Sequence, residues 1–69
     1  MDEQWEVIYR STAGYKTEML KDILEESEIP SVVINKQDSS YLIGEYEVYV
    51  KQYDVLTAKQ IVTRFETNE

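Results

Sequence analysis

Cysteine and histidine are both absent from this chain. Without cysteine there is no disulfide framework and no thiolate zinc site, and without histidine the commonest metal ligand and proton shuttle are missing. No structural metal and no cofactor is expected. The two glycines, Gly14 and Gly44, are too few and too far apart for a phosphate-cradling loop. Basic residues are scarce as well, seven against fourteen acidic ones, for a formal net charge of −7. That sign opposes attraction to phosphate backbones and to anionic lipid, so neither nucleic acid nor a membrane is an expected partner. No apolar run approaches the roughly 20 residues of a membrane helix. The opening Met1-Asp2-Glu3-Gln4-Trp5 is acidic where a secretory leader is basic, and a cytoplasmic location is expected.

What is present is material for one core. The 69 residues form a single expected domain, 1–69, ordered roughly over 4–66. A domain of this size buries only about 60% of the surface its unfolded chain exposes, and many such domains recover burial by self-association.

Trp5 to Arg10 alternates as a strand, with Trp5, Val7 and Tyr9 on one side and Glu6, Ile8 and Arg10 on the other. Tyr15, Met19, Leu20, Ile23 and Leu24 then recur at helical spacing, and this helix ends near Ser27, before Glu28-Ile29-Pro30. Ser31 to Asn35 carries three consecutive β-branched residues and reads as a second strand. Lys36 to Ser40 is polar and loop-like, Tyr41-Leu42-Ile43 is a short apolar island, and Gly44 marks a turn or bulge before the alternating strand Glu45 to Lys51. Asp54 suits the N-cap of a last helix whose stripe is Val55, Ala58, Ile61, Val62 and Phe65.

The order β-α-β-β-α defines an α+β fold, a two-layer ferredoxin-like plait without its last strand. Its three-stranded sheet carries two helices on one face, and the third strand is inserted between the first two. Strand parity assigns Trp5/Val7/Tyr9, Val32/Ile34 and Tyr46/Val48/Val50 to the helix side. The opposite face then carries one apolar residue per strand, Ile8, Val33 and Tyr49, among charges. These three are candidates for contact with a second subunit or a protein partner; scattered apolar residues are also ordinary on a solvated face.

Trp5-Glu-Val-Ile-Tyr9, the helix ending in Glu-Ile29-Pro30, the segment Ile34-Asn35-Lys36-Gln37-Asp38-Ser39-Ser40-Tyr41 and the run Gly44-Glu45-Tyr46-Glu47-Val48-Tyr49-Val50 cover nearly the whole chain. In these segments the sequence resembles a family of small bacterial signal-transducing domains. The resemblance implies a ferredoxin-like or nitrogen-regulator-like plait and brings no established activity. The long basic nucleotide-binding loop of nitrogen-regulatory proteins has no counterpart here.

Catalytic chemistry finds little support. Ser39 and Ser40 stand beside Asp38, but serine needs an adjacent base and the chain offers no histidine. Glu25, Glu26 and Glu28 crowd a helix end where solvation is expected. Neither Asp2, Glu3 and Glu6 nor Asp38, Glu45 and Glu47 has the spacing of a calcium loop. The protein is therefore expected not to be an enzyme.

The segment from Asn35 through Lys36, Gln37, Asp38, Ser39 and Ser40 to Tyr41, continued by Gly44 and Glu45, combines amides, opposite charges, hydroxyls and a ring. Such a set suits a small polar ligand or a peptide; it suits equally well a turn whose side chains bond their own backbone. Two functions are compatible with these features. One is a regulatory or protein-interaction module, self-associating or binding an unknown protein through the open sheet face. The other is a small-ligand sensor built on the 35–41 segment.

Overall fold

The computed structural model describes residues 4–38 and 43–67. Strand β1 (Trp5–Ser11) leads into helix α1 (Gly14–Glu26), strands β2 (Ser31–Asp38) and β3 (Ile43–Lys51) follow, and a 3-10 turn (Gln52–Asp54) enters helix α2 (Val55–Thr67). The sheet order is β1-β3-β2 with both pairs antiparallel. The expected insertion of β3 is thus realised. Asp54 closes the 3-10 turn, where the sequence had suggested a cap.

Both helices pack on one face of the sheet. Their buried residues Leu20, Leu24, Ala58, Ile61, Val62 and Phe65 meet Val48 and Val50 of the central strand. Tyr9 joins them edge-on to Phe65, with ring centroids 5.8 Å apart. The stripe expected on α2 is the one buried. On α1 the buried set is Thr17, Leu20 and Leu24, while Tyr15 and Met19 are exposed. Thr17 is tolerated inside because its hydroxyl donates to the Gly14 carbonyl at 2.7 Å. A Cβ on Gly14 would stand 3.0 Å from the Tyr46 ring, so a larger residue at this helix start requires that ring to shift.

Helix α1 ends on a Schellman motif. Glu28 takes the left-handed conformation with φ 65°, its N–H donates to the Glu25 carbonyl at 2.9 Å, and the Ile29 N–H donates to the Leu24 carbonyl at 2.9 Å. The helix therefore stops before the influence of Pro30 is felt. Ile29 is buried with Leu24, the apolar contact that commonly accompanies this motif.

That anchor fixes the parity of β2. With Ile29 inside, the alternation puts Ser31 and Val33 inside too, and the register pairs Ser31 with Val50 and Val33 with Val48. Val32 and Ile34 therefore face away from the helices, the reverse of the arrangement expected from their apolar character. Strand β1 departs in a second way. A bulge between Val7 and Tyr9 shifts the register, so Val7 pairs with Tyr49 on the open face and Tyr9 with Val48 on the core side. Trp5, Val7 and Tyr9 consequently do not share a face.

Candidate functional site

The outward residues of the three strands build the open face row by row. Arg10, Glu47 and Ile34 lie side by side across the sheet, Val7, Tyr49 and Val32 form the next row, and Trp5 and Lys51 close the end. Glu47 sits at the centre of the charged part, only 6% of its side chain exposed. Its Oε2 accepts from Arg10 Nε at 2.8 Å and its Oε1 from the Tyr49 hydroxyl at 2.7 Å, with Lys36 Nζ 3.4 Å from Oε1. A carboxylate on the free face of a sheet is buried here because its own partners roof it over.

The electrostatics follow from that geometry. The Arg10 hydrogen bond, then that of Tyr49, hold the Glu47 carboxyl at about 2 against an ordinary 4.5, with burial pulling the other way and Lys36 adding to the depression. The same contacts raise the pKa of Arg10 and of Tyr49 above their usual values. A carboxylate so stabilised is far too weak a base to take a proton at neutral pH. Its work is to join three strands: Arg10 from β1, Tyr49 from β3 and Lys36 from β2.

Next to this cluster lies an apolar groove of about 380 Å³ lined by Trp5, Val32, Ile34 and Tyr49. Trp5 is 41% exposed, Val32 38% and Ile34 40%, values unusual for the large apolar residues of a sheet. The Lys51 ammonium lies 5.3 Å from the centroid of the Trp5 ring, within cation–π range. Of the chain's seven basic residues, three (Arg10, Lys36 and Lys51) stand on this face, beside Glu45 and Glu47.

Of the interface residues expected from sequence, Tyr49 lies on the open face. Ile8 and Val33 do not: both pack against the hydrophobic core, Ile8 at the bulge and Val33 through the reversed parity of β2. Trp5, Val32 and Ile34 take the outward places instead. The 35–41 segment is also corrected in form: Asn35 and Glu45 lie in β2 and β3 as expected, but Lys36, Gln37 and Asp38, read as loop, continue β2, and Gly44, read as a turn or bulge, belongs to β3. Gln37 pairs with Gly44 and Lys36 with Glu45 in a continuous ladder. Ser39, Ser40 and Tyr41 lie outside the described residues. Lys36 is the member of the set brought into the Glu47 cluster. Sequence reasoning put Arg10, Glu47 and Tyr49 on this face without joining them and left Lys36 in a loop; the signal available was the opposite charge of Arg10 and Glu47 at outward positions of neighbouring strands.

A family model for "Putative prokaryotic signal transducing protein" matches residues 5–66 of the chain. No curated protein and no solved structure matches significantly.

Proposed function

The chain belongs to that family of putative prokaryotic signal transducing proteins, and on this premise we propose that it is a non-enzymatic interaction module whose open sheet face docks a partner protein. One observation carries the reading: Trp5, Val32, Ile34 and Tyr49 form a single apolar groove on a sheet face that no layer covers among the described residues. Contiguous apolar surface rimmed by polar groups is the usual composition of a contact site, with aromatic residues and arginine prominent. Arg10, Lys36 and Lys51 supply that rim. The matching partner presents an apolar anchor followed by acidic residues.

The experiment compares three forms of the domain as bait in extracts of the source cell, with cross-linking. Ile34→Glu places a charge in the groove; Leu56→Glu makes the same chemical change at an 80% exposed site on α2. A partner retained by the wild type and by Leu56→Glu and lost from Ile34→Glu supports the docking face. Equal capture by all three forms would show that the groove is ordinary solvated surface.

A further inference from the structure

The outer edge of β1 carries a second, independent surface. Among the described residues β1 pairs only with β3, and its other edge runs beside α2. Between them lies a cleft of about 390 Å³ bounded by residues 7–10 of β1 and by Lys59, Val62 and Glu66 of α2. An unpaired strand edge with a half-buried apolar floor invites a further strand.

We propose that this edge is a homodimer interface, in which β1 of a second copy pairs antiparallel with β1 to make a continuous six-stranded sheet. Two features select a second copy over a bare peptide. The bulge between Val7 and Tyr9 keeps any new ladder short, so the occupant must bring further contacts of its own. A second copy brings its own α2. Lys59 and Glu66 are then the deciding pair. They lie two helical turns apart, roughly 10 Å along the axis, with Val62 between them. Both are exposed and neither takes part in an ion pair within the described residues. A two-fold axis near Ile8 and Val62 runs the two α2 helices antiparallel and sets each Lys59 against the other copy's Glu66. The same two residues thus serve both sides of the contact, as an isologous interface requires. The docking groove on the open face stays free in this arrangement and is presented twice on one sheet.

Sedimentation equilibrium over a micromolar to millimolar series tests the proposal, using charge reversal and its rescue. The wild type is expected to dimerise, Lys59→Glu and Glu66→Lys each to raise the dissociation constant about 10-fold, and the double reversal to return it to within about 3-fold of wild type. Ile34→Glu is expected to leave dimerisation unchanged, which separates this interface from the docking face. A wild type that stays monomeric throughout, a double reversal that fails to rescue, or a dimer broken by Ile34→Glu would each overturn it.

Discussion

Replacing Glu28 by glycine is expected to stabilise the protein, although it removes a side chain and adds freedom to the unfolded chain. Glu28 holds φ 65°, where an L-residue brings its Cβ close to the following carbonyl at a cost of about 1–2 kcal/mol. Glycine relieves that cost and returns about 0.5–1 kcal/mol through the greater entropy of the unfolded state. The backbone gain left over is about 0.5–1 kcal/mol. For a domain of this size that corresponds to a rise in Tm of about 2–8 °C. Charge complicates the measurement, because Glu28 joins Glu25 and Glu26 at the negative end of the α1 dipole and losing its carboxylate helps. Glu28→Ala removes the same charge and keeps the Cβ. The quantity to measure is therefore the difference between the Gly and Ala variants in thermal and urea unfolding. Glycine should be the more stable of the two, the reverse of their order inside a helix. If alanine equals or exceeds glycine, Glu28 does not hold the left-handed conformation, and the Schellman motif that sets the parity of β2 loses its basis.

The acid limb of stability should belong largely to Glu47. Its folded pKa of about 2 lies below the ordinary 4.5, so its contribution is complete above the unfolded value and is lost as pH falls from about 4.5 toward 2. Urea midpoints measured across that window should drop steeply for the wild type and more shallowly for Glu47→Gln; parallel curves would mean that the Arg10 and Tyr49 contacts do not persist in solution. Ser31 offers the opposite case, a buried hydroxyl with no hydrogen-bond partner among the described residues. Ser31→Ala should raise stability by about 1 kcal/mol in the same assay, and a loss of that size would reveal a partner for the hydroxyl.

Residue patterns carried the element order and the topology because both depend on signals spread over many positions. Five apolar residues mark the α2 stripe, and the antiparallel β2–β3 pair follows from a short connection. Facing was harder to read because it turns on single residues. Val32 and Ile34 are more apolar than Ser31 and Asn35, and judged by transfer free energy they belong inside. Their outward placement is dictated by Ile29, two residues before the strand begins, where it closes on Leu24, and a strand has only two choices of parity. Had Ile29 been read as the first inward position of β2, Ile29/Ser31/Val33 would have appeared as the buried set. The bulge in β1 left no comparable trace, since neither a glycine nor a proline marks it. Ile8 consequently passed for an outward residue. The Glu47 cluster was half legible: the charges were visible at outward positions, but their convergence depends on a register shifted by that same bulge.

The misplaced apolar residues and the Glu47 cluster bear on docking together. A carboxylate buried on a sheet face seldom improves stability over an apolar residue of similar size, because desolvation offsets much of the attraction. An apolar residue at position 47 would, however, extend the groove of Trp5, Val32, Ile34 and Tyr49 without a break along the sheet, a long sticky surface with no preferred direction. Glu47 ends the groove and gathers Arg10 and Lys36 at that end, where their side chains remain 56% and 58% exposed. Glu47 takes only the Nε–H of Arg10 in a hydrogen bond at 2.8 Å, and a guanidinium carries five N–H donors. The face therefore has a direction along its length, with the apolar groove and Lys51 toward Trp5 and the charged cluster of Arg10, Lys36 and Glu47 at the other end. A partner with one apolar anchor and one acidic group fits it in a single orientation, and Arg10→Lys would weaken such a partner by removing the planar fork while leaving the charge in place.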